Sequence, residues 1–93
     1  MTVDDIYLEG SLLNRRDEAM ERLGRALCLP EWWGRNLDAL HDCLTGLDRP
    51  VRLVLRGRAD LESTPFGRVL LRVLRDAAAE CPRLELDTNK RNL

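Results

Sequence analysis

Residues 29–46 read LPEWWGRNLDALHDCLTG. This stretch decides how the rest of the chain is arranged, because it lies between two strand-like segments and is itself no hairpin. Pro30 stops whatever helix precedes it, since the residue before a proline is driven out of the helical region. Trp32 and Trp33 sit side by side in a loop flanked by that proline and by Gly34. Asn36 suits a helix N-cap, and Gly46 suits the position just past a helix end. At 100° per residue the intervening helix sorts cleanly. Leu37, Leu40, Cys43 and Leu44 fall on one side, and Asp38, His41, Asp42 and Thr45 on the other.

Upstream, DDIYLEG (4–10) alternates Ile6 and Leu8 with Asp5, Tyr7 and Glu9 and reads as a strand. A helix is expected from about Asn14, taken as its cap, to Leu27, with Met20, Leu23 and Leu27 at helical spacing. Downstream, VRLVLRG (51–57) is a second strand. A third helix starts after Thr64, the expected cap, with Pro65 in its first turn. Its expected apolar stripe is Phe66, Val69, Leu70, Val73, Leu74 and Ala77. RLELD (83–87) is the third strand, and 88–93 reads as a loose tail.

Strands separated by helices favour parallel pairing through helical crossovers. Parallel sheets covered on both faces read as continuous apolar runs, whereas these strands alternate. The fold class expected is therefore α/β: a two-layer domain over residues 1–93, with a three-stranded parallel sheet and helices packed on one face. An antiparallel α+β sandwich is the alternative, disfavoured because no hairpin joins any two strands.

The chain has 93 residues, 44% hydrophobic and 33% charged, which suits one folded domain and excludes disordered and fibrous classes. Its net charge of −1 conceals an asymmetry. Residues 31–48 carry Glu31, Asp38, Asp42 and Asp48 against Arg35 alone; residues 49–75 carry seven arginines against Asp60 and Glu62. Such segregation bears on partners and association rate. Three cysteines without C-x-x-C spacing argue against a disulfide framework or zinc ribbon and for a reducing compartment. Residues 2–5 are polar and acidic, unlike a signal peptide, and no apolar run is long enough to span a bilayer. A cytoplasmic protein with no membrane association is expected.

The acidic stripe on the central helix contains no Lys or Arg, so i, i+4 pairing cannot neutralise it. Only Asp38 lies near the positive end of the helix dipole. Aromatic residues beside unpaired charge form the composition of a binding surface, with Trp33 expected inside and Trp32 outside. Catalysis fits less well. His41 and Cys43 point about 200° apart on a helix and cannot share a hydrogen bond. Asp38, His41 and Asp42 have ligand-like spacing, but a second His and a fourth group are missing, so no metal or other cofactor is expected. The arginines downstream lack aromatic interleaving and read as stems over apolar surface, not as a nucleic-acid site.

The stretch at 29–46 resembles the signature of barstar-like ribonuclease inhibitors, and the similarity extends from about Tyr7 into the helix after Thr64. The resemblance implies the two-layer fold with a three-stranded parallel sheet. It also implies a non-enzymatic inhibitor that plugs the RNA-binding groove of a bacterial ribonuclease. Asp42 then corresponds to the carboxylate that enters the catalytic phosphate site, and Asp38 to the neighbouring acid that pairs with an arginine. Trp32 stands where the family often has a tyrosine packed on the catalytic histidine. Asn36, Thr45 and Gly46 match contact positions, the glycine through its backbone. Asp76 replaces a contacting glutamate, one methylene shorter, and Glu80 is a peripheral charge. His41 and Leu47 depart from the pattern by standing where barstar has tryptophan, and His41 brings an imidazole to the surface. The partner implied is a secreted ribonuclease or the nuclease domain of a toxin, bound 1:1 by a chain that is a monomer when free. The alternative function is an interaction module of the same fold whose partner is not a ribonuclease.

Overall fold

Val51–Arg56 (β2) occupies the middle of the sheet, because it is the most apolar of the three strands and must be covered at both edges. In the computed structural model, which describes residues 3–88, it pairs in parallel with Asp4–Glu9 (β1) on one side and with Leu84–Asp87 (β3) on the other. The parallel expectation holds, and the antiparallel alternative is excluded. Register places Ile6, Leu53 and Leu86 in one row and Asp5, Arg52 and Glu85 in the next. The period-2 pattern of the sequence thus becomes a sheet with one apolar and one charged face.

Between the strands, the described residues form the α-helices Arg16–Ala26 (α1) and Leu37–Thr45 (α2), after β1, and Arg58–Leu61 (α3) and Pro65–Glu80 (α4), after β2. The core joins the inner sheet residues Leu8, Val51, Leu53, Leu55 and Leu84 to Leu23, Leu40, Leu44, Leu61, Leu70 and Leu74 of the helices, and contains no outer-face residue. Helices therefore cover one face, as expected. The outer face is less open than alternation suggests. Val54 is buried there, beside Tyr7 and Asp87 in register. Arg52 spans the strands to reach Asp5 (3.3 Å) and Asp87 (3.4 Å), and the Arg56 guanidinium lies 5.4 Å from the Tyr7 ring centre. Arg52 and Arg56 stand on either side of Val54 along this face, and long arginine stems are suited to covering apolar surface.

Two local expectations need correction, and one helix was not expected. Arg15, not Asn14, precedes α1, and it provides no side-chain cap. The Asn14 amide instead donates to the carbonyl of Asp60 (3.2 Å), and the Thr64 hydroxyl donates to the Asn14 carbonyl (2.7 Å). A tertiary tether thus displaces the local cap. The stripe of α4 is also rotated. Val69 is exposed and Leu71 is buried, because the helix buries a wide arc through Gly67, Leu70, Leu71, Leu74 and Ala77. Finally, α3 is a single turn, too short for periodicity to reveal, yet it places Leu61 in the core. Thr64 caps α4 by accepting from Gly67 N–H (3.0 Å), as expected. The tail expected at 88–93 lies, from residue 89 onward, outside the described residues. Among the described residues, no helix is long and apolar enough to cross a membrane.

Candidate recognition surface

The loop before α2 owes its shape to three residues in the left-handed region: Cys28 (φ 55°), Gly34 (φ 98°) and Arg35 (φ 50°). Glycine takes such a conformation freely, whereas Arg35 does so under strain that the surrounding loop must offset. This backbone sends the two tryptophans in opposite directions. Trp33 is 6% exposed and Trp32 is 84% exposed, as expected. The Trp33 ring lies flush on α1 at Gly24, where an added Cβ would come within 2.8 Å of Nε1. Trp33 is the anchor and Trp32 the projection.

Asn36 then starts α2. Its Oδ1 accepts from Ala39 N–H (2.7 Å), and its Nδ2 donates to the Gly34 carbonyl (3.3 Å). The side chain joins loop to helix and satisfies one of the orphan amides at the helix start. From this cap the apolar side runs through Leu40 and Leu44, both fully buried. The opposite side presents Asp38 and Asp42, and the Asp42 side chain is 87% exposed. Arg16 of α1 shares a shallow depression with Asn36, Leu37 and Asp38, yet among the described residues Asp38 forms no ion pair. The nearest basic atom to Asp42 is His41 Nδ1, at 4.0 Å, beyond hydrogen-bond range.

The other sequence-selected residues divide into surface and structure. Thr45 folds its hydroxyl back on its own helix, donating to the His41 carbonyl (2.9 Å). Gly46 is exposed, and its N–H donates to the Asp42 carbonyl (3.0 Å). Asp76 and Glu80 are exposed on α4 and, four residues apart, share one side of it. Leu47 does not join them. It is 9% exposed and part of the core, so its side chain is withdrawn from the surface, and its carbonyl accepts from Arg83 Nη1 (3.4 Å). His41 is partly withdrawn too. Its side chain is 31% exposed, and Nε2–H donates to Glu80 Oε2 at 3.2 Å. No sequence signal announced that contact, which links positions 39 residues apart.

Nucleophilic chemistry has no support in this geometry. The Cys43 thiol is half-buried, and burial pushes its pKa up, with the charge of Asp42 acting in the same direction. A thiol of this kind is a poor nucleophile. Cys28 and Cys81 are also free. Among the described residues, no group of three His, Cys, Asp or Glu side chains is arranged to hold a metal ion. What α2 and the loop before it present is two exposed carboxylates on one helix and an exposed indole in the preceding loop.

Comparison with known proteins identifies the family. The chain matches the family described as Barstar (barnase inhibitor) over residues 3–91. It is also 35% identical, over 79 residues, to the Bacillus subtilis protein named "Putative ribonuclease inhibitor YrdF", an alignment covering 81% of this chain and 86% of that one. Proteins of this family bind and inhibit; they do not catalyse. With its three-stranded parallel sheet, its helical layer and this match along nearly the whole chain, the protein belongs to the barstar family of ribonuclease inhibitors.

Proposed function

We propose that the chain is an intracellular immunity protein that blocks a bacterial ribonuclease by inserting the acidic face of α2 into the enzyme's RNA-binding groove. The observation that carries this reading is the pair Asp38 and Asp42, exposed on one helix and, among the described residues, bonded to no cation. A ribonuclease must offer Arg, Lys and His groups to RNA phosphates. Carboxylates held rigidly can take those phosphate positions with charge-assisted hydrogen bonds. Holding them on a capped helix limits the ordering cost of association. Trp32, already in solvent, supplies the apolar contact beside them. Opposite charge on the two surfaces also accelerates capture, which suits protection of a cell that makes or receives a lethal nuclease. The complex is 1:1 and forms in the cytoplasm, and the target is a secreted guanyl-specific ribonuclease or the nuclease domain of a toxin.

The test is titration of a panel of microbial guanyl-specific ribonucleases and toxin nuclease domains with the purified chain. Stoichiometric loss of RNA cleavage by at least one member is expected. Full activity throughout the panel would replace this reading with an interaction module whose partner is not a ribonuclease.

A further inference from the structure

The contact between His41 and Glu80 is the one polar side-chain link between α2 and α4 among the described residues. Its position gives it leverage. His41 lies in the middle of α2, next to Asp42 and one turn after Asp38, so whatever holds its ring also sets the roll of both carboxylates. Glu80 is the last residue of α4. A carboxylate there faces the negative end of the helix dipole, an unfavourable place for an anion unless a donor offsets it. The His41 Nε2–H is such a donor. A carboxylate can only accept, so this geometry requires the proton on Nε2.

Other restraints on α2 leave this degree of freedom open. The Asn36 cap fixes the start of the helix, and Trp33 anchors the preceding loop. Leu40 and Leu44 hold the buried side, but apolar contact is non-directional and tolerates small rotations. The helix is nine residues long, and the loop before it carries three left-handed residues. A directional bond near its midpoint is what fixes its rotation against α4, the helix that carries Asp76.

We infer that His41 and Glu80 are positioning residues: together they form an intramolecular clamp that preorganises the Asp38–Asp42 surface, instead of contacting the nuclease as two separate groups. This rests on the inhibitory reading of that surface. It also revises the role that family resemblance assigns to Glu80, whose carboxylate is committed to its own chain. Preorganisation raises affinity by removing an ordering cost, so losing the clamp weakens binding even though no contact with the partner is lost.

The test is a double-mutant cycle with a ribonuclease that the wild-type chain inhibits, read alongside amide hydrogen exchange of the free protein. His41→Ala and Glu80→Ala should each weaken binding about tenfold, and the double variant should lose no more than either single one. Glu80→Gln keeps an acceptor for Nε2–H and should bind within about twofold of wild type. In the free protein, α2 amides should exchange faster in both alanine variants and at the wild-type rate in Glu80→Gln. Losses that multiply in the double variant, or Glu80→Gln as damaging as Glu80→Ala, would show two independent partner contacts and overturn the clamp. Unchanged α2 exchange in Glu80→Ala would overturn it whether or not any ribonuclease is bound. By contrast, wild-type protein that inhibits nothing, with α2 exchange responding as expected, would sink the inhibitory reading and leave the clamp standing.

Discussion

Replacing Asp42 by alanine separates a recognition surface from a merely solvated one. In the free protein the carboxylate has little to lose: its side chain is 87% exposed and its nearest basic atom is 4.0 Å away. Surface substitutions of this kind change stability by within about 0.5 kcal/mol, and alanine is the better helix former by up to roughly 0.7 kcal/mol. Removal also relieves repulsion with Asp38, one turn earlier on the same face. Fold stability should therefore hold or rise slightly. In the proposed complex the balance reverses. The carboxylate sits among the cations of the nuclease groove, and truncation leaves them desolvated and unpaired, a loss of about 2–5 kcal/mol or more. That corresponds to a rise in Kd from about 30-fold to several thousand-fold, mostly through faster dissociation. Asp48→Ala is the control, since Asp48 belongs to the same acidic segment but lies beyond the helix in solvent, 4.0 Å from Arg49. It should alter chiefly the salt-dependent association rate. The assay is binding kinetics for both variants with parallel urea melts. Similar small affinity losses for the two, or a large stability loss for Asp42→Ala, would refute the reasoning.

Three further outcomes follow from the same contacts. Gly24→Ala brings a Cβ to 2.8 Å from Trp33 Nε1, so it should destabilise by about 1–3 kcal/mol and red-shift tryptophan emission, where helix propensity alone would give a gain. Trp33→Ala should cost about 3–5 kcal/mol in a urea melt, while Trp32→Ala should leave the melt unchanged and weaken ribonuclease binding; equal melts for the two would contradict the anchor-and-projection assignment. Cys43 should alkylate more slowly than Cys28 in the native protein, as followed by mass spectrometry. Because burial raises its pKa above the ordinary 9.0, the protonated thiol is the form the fold favours. Its contribution to stability is therefore complete below that value and lost as pH climbs through the raised one.

The parts of this molecule legible in the sequence are those governed by local rules. The alternation in β1 and β3 marked a one-sided sheet, and the 100° sorting of 37–45 separated Leu40 and Leu44 from Asp38 and Asp42. Asn36 was readable as a cap because its partner, Ala39, lies three residues away. Asn14 has the same chemistry but does not cap a helix, since its partners come from 60–64, brought near only by the folded chain. The exchange of Val69 for Leu71 has a similar origin: how wide an arc of α4 is buried depends on what packs there, not on α4 alone. Leu47 shows the limit of family resemblance. The resemblance aligns it with a tryptophan, but the leucine that stands here has its side chain in the core. The His41–Glu80 bond is the extreme case, because neither residue carries any local sign of the other.

Competition with RNA tests the central claim most directly, since a carboxylate helix seated in phosphate positions and an RNA strand cannot occupy the groove together. The measurement is the affinity of the chain for a catalytically inactive form of its target ribonuclease, at increasing concentrations of a short non-cleavable RNA. Strict competition is predicted, with apparent Kd rising in proportion to RNA once its own site is saturated and no ternary complex at any concentration. An affinity that stays constant as RNA fills the groove, with all three components in one complex, would contradict the account.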